Sequence, residues 1–208
     1  SIDNISHMLP FYEMWEISRK IRKSEAAQDF WLNKEVDELQ GYVSRDVHEM
    51  PLVRELIEKY GYHSDKELDV TYPCYYEDVT PFLTNIRDMI PLGEEYSPLA
   101  DKEKGEAEYK KVLARLEKEV GKRKYRKICV KITNMRKMLW WREEYRDIST
   151  KFYYLIRVYT MELAKQLVAE GVIEEASDIW FLKVGSLWDY LDGKVTKEAL
   201  QAMVVSNR

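Results

Sequence analysis

The stretch Leu139-Trp-Trp-Arg-Glu-Glu-Tyr-Arg-Asp-Ile-Ser-Thr-Lys-Phe-Tyr-Tyr-Leu-Ile-Arg157 decides how this chain is read. It holds no Gly or Pro, so nothing in it interrupts a helix. It is dense in aromatic rings and places three arginines on a helix that otherwise reads as core. Arg142 and Arg146 are four residues apart and share a helix face, about one turn from each other. Arg157 comes about three turns later and returns to nearly the same face. Arginines held on a stiff aromatic helix suit recognition of a phosphate or carboxylate. The more ordinary reading is an amphipathic helix whose arginines are solvated or paired with Glu143 and Glu144, and residue chemistry alone favours it.

The rest of the chain supports a helical protein. Its 208 residues are 45% hydrophobic and 34% charged, with only 8 Gly and 6 Pro. That composition is globular rather than disordered. Fifteen Tyr and six Trp are enough for a large core and for the wall of a ligand pocket. Residues 125–170 would span about 70 Å as one helix, which is long for a globular domain, so a bend or break is expected. Gly171 is the expected stop.

Residues 1–45 read as two helices, the first with Met8, Phe11, Trp15 and Ile21 on one side and the second with Phe30, Trp31, Val36, Leu39 and Val43. Ser24-Glu25 is the junction. Pro51 opens a helix over 52–60 with Leu52, Leu56 and Ile57 inward, and Gly61 stops it. A long polar loop, 62–78, leads to a helix over 79–90 capped by Asp78. A charged helix over 101–120 carries the narrow stripe Tyr109, Val112, Leu113 and Leu116. After Gly171 the spacing predicts a turn, a short extended piece near 178–182, and helices near 186–191 and 197–204. The expected fold is therefore all-α with long helices, in one domain over 1–208 that forms part of a larger chain or complex.

Charge and motifs remove several function classes. The net charge is −4, yet residues 122–146 carry ten Lys and Arg against two acids. Such a segregated field can steer an anion or an acidic partner surface. Base stacking on the interleaved Tyr and Trp is disfavoured, because the chain is acidic overall and has no nucleic-acid module. Neither a phosphate-binding glycine loop nor a nucleophile motif occurs. His7, His48 and His63 lack zinc spacing, so no metal site is expected. Glu67 and Asp69 near His63 read first as loop-organising carboxylates. Cys74 and Cys129 have no pairing pattern, and no apolar run reaches membrane-spanning length, which suggests a reducing, cytoplasmic setting.

Two segments together carry a resemblance. The first is Tyr60-Gly-Tyr-His-Ser-Asp-Lys-Glu-Leu-Asp-Val-Thr-Tyr-Pro-Cys-Tyr-Tyr-Glu-Asp78. The second is Arg142-Glu-Glu-Tyr-Arg146, then Tyr153-Tyr154, Arg157, and Glu162-Leu-Ala-Lys-Gln-Leu-Val-Ala-Glu-Gly-Val-Ile-Glu-Glu-Ala-Ser-Asp-Ile-Trp-Phe-Leu182. In order and spacing they resemble Y-G-H-R-G-x-G-E-L-D-L-x-x-P-R-W-x-E-D-P and R-E-x-x-R/K in the phosphoenolpyruvate synthase-like phosphotransferases. The rifampicin phosphotransferase and phenylphosphate synthase branches are the nearest. The likeness covers roughly residues 50–190 and is less clear over 1–45. The chain departs from the pattern at His63, Ser64, Lys66, Cys74-Tyr75 and Val79.

The resemblance implies the acceptor-substrate domain of an ATP-dependent phosphotransferase. An ATP-grasp domain, using ATP and Mg, would phosphorylate a histidine on a swivelling domain, and that histidine would deliver the phosphoryl group to a hydroxyl acceptor held here. Those two domains would be partners, in cis or in trans, and this chain would bind no cofactor itself. It carries no T-S-G-G-x-x-x-H segment and no ATP-grasp, so it is not expected to turn over alone. Arg142 and Arg146 would face the phosphohistidine and Glu143 would orient an arginine or the acceptor hydroxyl. Trp141, Tyr145, Tyr153, Arg157, His63, Glu67 and Asp69 would shape the acceptor site. The competing expectation is a non-catalytic helical interaction module whose basic helix docks an acidic partner.

Overall fold

A computed structural model of the chain describes residues 5–93 and 95–208. The first four residues of the expected N-terminal helices lie outside the described residues. Among the described residues the protein is all-α, with no strand. Nine α-helices are formed: α1 (Leu9–Ile21), α2 (Glu25–Leu32), α3 (Val36–Gln40), α4 (Met50–Tyr60), α5 (Thr80–Met89), α6 (Pro98–Val120), α7 (Lys122–Ala169), α8 (Val184–Leu191) and α9 (Lys197–Asn207). Short 3-10 segments lie at Ser6–Met8 and Ala176–Phe181.

The chain divides into two compact units, one of Ser1–Asp65 with Cys74–Ser149, the other of Lys66–Pro73 with Thr150–Arg208. In the first, α1 packs on α4, α5 and α6, and α3 packs on α5. Its core includes Trp15, Ile21, Trp31, Leu39, Met50, Val53, Leu56, Phe82, Leu83 and Ile86. Trp31 is fully buried, and its Nε1 donates to the carbonyl of His48 (2.9 Å), so the ring keeps a partner inside. Ser24 caps α2 by accepting from Ala27 N (3.3 Å), which makes the Ser24-Glu25 junction a true helix start. The second expected helix is split into α2 and α3 at Ser-free, polar Asn33-Lys34-Glu35. On α4 the buried residues are Met50, Val53 and Leu56, while Leu52 and Ile57 are half-buried, so the inward face is turned from the expected one. On α6 no residue is fully buried; Tyr109, Leu113 and Leu116 form a half-buried stripe and Val112 is exposed.

The expected break in the long segment does not occur: residues 122–169 form one unbroken helix. No Gly or Pro interrupts them, and α7 contributes residues to both units. Its end is a Schellman motif. Gly171 takes φ 68° and donates to Val168 O (2.9 Å), and Val172 N donates to Leu167 O (2.8 Å).

In the second unit, α9 packs on α8 and on the 176–181 segment. The core is Ala164, Leu167, Val172, Ile173, Ile179, Leu182, Leu200 and Val204. The expected extended piece at 178–182 is instead the end of a 3-10 turn. The buried Asp178 fixes that turn. Its Oδ2 accepts from Glu174 N and Glu175 N (both 3.2 Å), and its Oδ1 pairs with Arg208. Burial opposes ionisation of Asp178, but the Arg208 hydrogen bond and the two backbone donors outweigh it and hold the carboxyl below its usual range. A depressed carboxyl pKa gives stability that is present above the unfolded value, near 3.9, and is lost as pH falls through the folded value. Acid titration followed by circular dichroism should therefore show the second unit melting progressively below about pH 4. In Asp178→Ala that acid step should shrink and stability at pH 7 should fall by about 1–3 kcal/mol.

Candidate functional site

The loop after α4 reaches its place through Gly61. A β-carbon there would lie 2.5 Å from the Tyr76 ring and 2.6 Å from the carbonyl of Ile57. That close approach lets Tyr76 N donate to Gly61 O and Tyr75 N donate to His63 O (2.9 Å each), drawing the two ends of the loop together. Tyr75 Oη also donates to Asp65 (2.7 Å). Gly61→Ala should cost about 1–3 kcal/mol in urea unfolding, through overpacking against backbone that cannot withdraw.

The loop start then meets α7 within the first unit. Asp147 and Glu143 are buried on one face of α7, one turn apart. Tyr62 Oη donates to Asp147 Oδ1 (2.7 Å), and Nε2 of the buried His63 lies 3.4 Å from the same oxygen. The Tyr62 and His63 rings lie 4.3 Å apart. Beside them Tyr60 Oη donates to Glu13 Oε1 (2.7 Å), and Lys59 donates to Glu13 Oε2 (2.9 Å). Burial first, then the Glu13 hydrogen bond and the charges of Glu13 and Asp147, raise the Tyr60 phenol far above its usual range. Tyr60 is therefore a donor at every physiological pH. Two acids are thus held here, Glu13 by a phenol and a lysine, and Asp147 by a phenol with an imidazole beside it.

Glu143 also links this interior to the surface. Its Oε1 accepts from Arg142 Nε (2.8 Å) and from Arg142 Nη2. Arg142 itself is exposed, and Nη1 bonds no described residue. A buried carboxylate thus braces an exposed guanidinium by two of its N–H groups. Arg146 is exposed one turn further along α7. Trp141 and Tyr145 form a parallel column, stacked at 5.5 Å and also exposed. A column of two arginines thus runs beside a column of two aromatic rings. Ser6 closes the N-terminal end of this region, donating to Glu144 through Oγ (2.7 and 2.8 Å) and N (3.1 Å).

The other sequence-predicted residues belong to the second unit. Glu67 is half-buried, Asp69 exposed, and Leu68 between them takes φ 66°, the left-handed region. Asp69 Oδ1 accepts from Thr71 Oγ1 (2.7 Å) and Thr71 N (2.9 Å). Those two bonds, with the charges of Lys66 and Arg157, hold its carboxyl below the usual range. Arg157 is buried, donates to the carbonyl of Val70 (2.7 Å) and lies over the Trp180 ring at 5.6 Å. That bond ties the loop backbone to α7 within the second unit. Tyr153 is partly exposed.

Asp147, Tyr62, Tyr60 and Glu13 carry these part-buried bonds and were not singled out by the sequence reading. The available signal was on α7: Glu143, Asp147, Thr150, Tyr154 and Arg157 recur at spacings of four and three, so hydrogen-bonding side chains occupy an inward stripe normally left to apolar ones. Among the described residues, no group of three or more His, Cys, Asp or Glu could hold a metal ion, and no helix is long and apolar enough to cross a membrane.

The chain belongs to the family of the rifampicin phosphotransferase fourth domain, whose model matches residues 1–143. The match takes in residues 1–45, where the motif resemblance was least clear, and it ends at Glu143, before Arg146 and Arg157. No curated protein matches the chain.

Proposed function

We propose that this chain is the acceptor-holding domain of a phosphoenolpyruvate synthase-like phosphotransferase. It presents a hydroxyl compound to a phosphohistidine carried on a separate swivelling domain. The observation that carries this reading is Arg142, braced by the buried Glu143 and one turn from Arg146, on the family's own helical frame. Phosphoryl transfer needs positive charge around the equatorial oxygens more than it needs covalent help. Two guanidiniums one turn apart supply that charge, and the brace removes much of the entropy cost of holding Arg142 in place. The acceptor oxygen forms the new P–O bond, the P–N bond breaks, and its electron pair returns to the imidazole of the swivelling domain. The acceptor proton leaves with solvent or with that imidazole. ATP and Mg are used by the ATP-grasp domain, in cis or in trans, not by this chain. In the first unit Trp141 and Tyr145 offer rings to an acceptor of apolar or phenolic character and His63 keeps the loop start in shape; in the second unit, by itself, Glu67, Asp69 and Arg157 shape the 66–73 loop and Tyr153 offers a further ring.

A second reading, a non-catalytic helical module that docks an acidic partner, is favoured by one observation. Residues 122–137 carry eight Lys and Arg and no acid, and most of them are exposed. The two are separated by labelled phosphate. ATP carrying labelled phosphates, the ATP-grasp and phosphohistidine domains, this chain and a panel of phenols should yield labelled product only when the chain is present. Binding to an acidic partner with no product in any combination would leave only the second reading.

A further inference from the structure

Residues 122–137 of α7 lie within the first unit and have two unlike sides. Of their eight Lys and Arg, Arg136 alone is half-buried, with its guanidinium over the Tyr109 ring of α6 at 4.5 Å. The other seven are exposed, and among the described residues none of them holds an ion pair or a side-chain hydrogen bond. At about 100° per residue these seven cover about 200° of the helix surface. Tyr125, Ile128, Cys129 and Ile132 are half-buried and share the remaining arc with Arg136. The cationic side runs about 22 Å along the axis without an acid. The neighbouring α6 shows the usual arrangement of a solvated helix. It carries six Lys and Arg against six Asp and Glu, with Lys111 paired to Glu108 and Arg115 to Glu119. On α7 the like charges repel one another, and no acid in the run offsets them.

We propose that this side of α7 docks an acidic surface of another protein, one that also offers apolar side chains. Three observations choose that occupant over a nucleic acid or an anionic membrane. The cationic patch is short and bounded: α6 is neutral, and residues 1–65 of the same unit carry eight Lys and Arg against thirteen acids. A duplex or a bilayer that reached past the patch would meet that excess of negative charge. Val130 and Met138, 56% and 73% exposed, fall within the cationic arc. Protein partners use such apolar contacts, whereas phosphate backbones do not. No exposed aromatic ring lies among residues 122–137 for bases to stack on, since Tyr125 is turned to the α6 side. The acidic partner is that of the second reading of function, and in this the proposal rests on that reading. The docking holds whether or not the chain also receives a phosphoryl group.

The test is titration of the full chain against a labelled random copolymer of glutamate and tyrosine. Polyglutamate, duplex DNA and vesicles of phosphatidylserine and phosphatidylcholine are the other probes. The copolymer should bind tightest, and its binding should weaken by about 10-fold or more when salt rises from about 0.05 M to about 0.5 M. Arg123→Gln with Lys127→Gln, near the middle of the cationic arc, should weaken it by about 10-fold, and Arg123→Glu with Lys127→Glu by about 100-fold. Lys110→Glu with Lys111→Glu makes the same change of net charge on α6 and should weaken it by less than about 3-fold. Val130→Ser should weaken binding of the copolymer and leave that of polyglutamate unchanged. All these side chains are exposed, so helical circular dichroism should not change. Copolymer binding that is indifferent to the α7 pairs, or weakened as much by the α6 pair, would overturn the patch and leave the acidic partner of the second reading docked elsewhere. No binding of either polypeptide would overturn the patch and that acidic partner together. Tighter binding of the DNA or of the vesicles would overturn the choice of a protein.

Discussion

Asp147→Ala is expected to destabilise the first unit by about 2–4 kcal/mol, more than any single surface change on α7. The carboxylate is buried and is the acceptor for Tyr62 Oη at 2.7 Å. It also lies 3.4 Å from Nε2 of the buried His63. Removing it takes the acceptor away from the half-buried Tyr62 phenol, and a polar group that loses a bond there carries a desolvation cost. Because the partners lie on the loop after α4, the variant should also free that loop. Urea unfolding followed by fluorescence of the buried Trp15 and Trp31 gives the first effect, and amide exchange at residues 61–63 gives the second. Asp147→Asn keeps an acceptor for Tyr62 and should lose less. A loss below about 0.5 kcal/mol in Asp147→Ala would mean that water satisfies Tyr62 and His63 equally well.

Arg142→Ala and Arg146→Ala should each slow phosphoryl transfer to acceptor by about 100-fold, the size of effect seen when one preorganised donor is removed from a developing charge. Phosphorylation of the swivelling-domain histidine by ATP should be unaffected, because it does not involve this chain. Arg142 is held by Glu143, so Glu143→Gln should reproduce part of the Arg142→Ala defect without removing the guanidinium. Arg142→Ala also takes two donors from the buried Glu143 carboxylate, so each rate should be read beside a urea-unfolding curve of the same variant.

Much of the helical architecture could be read from local signals. The Ser24-Glu25 helix start and Gly171 as a stop are encoded within a turn or two of chain, which is the range over which helix signals act. What failed was longer in range. Continuity of α7 looked implausible because one small domain cannot bury so long a helix; the helix instead contributes to two units. The run Ile179-Trp-Phe-Leu182 has the composition of a strand, and apolar periodicity over four residues cannot separate a strand from a 3-10 turn. Arg208 decides it by pairing with Asp178, thirty residues away. Similarly, Asp147 and Tyr62 are 85 residues apart, and no periodic pattern connects them. For the site, Arg142, Glu143 and Arg146 were legible as residue types at a helical spacing. Which of the two acids braced an arginine was not: Glu143 turns inward to Arg142, while Glu144 takes Ser6. The aromatic rings of 139–157 read as core because rings usually are, yet many of them, Trp141, Tyr145 and Phe152 among them, are exposed on this chain.

The most direct measurement is a pulse-chase on the phosphohistidine. The swivelling domain is labelled on its histidine, freed of ATP, and mixed with a phenolic acceptor and this chain. With the wild-type chain the label should leave the histidine and appear on the acceptor. With the Arg142→Ala, Arg146→Ala double variant it should remain on the histidine over the same interval. Transfer at the same rate in both, or at the same rate with the chain left out, would contradict a role for this helix in receiving the phosphoryl group.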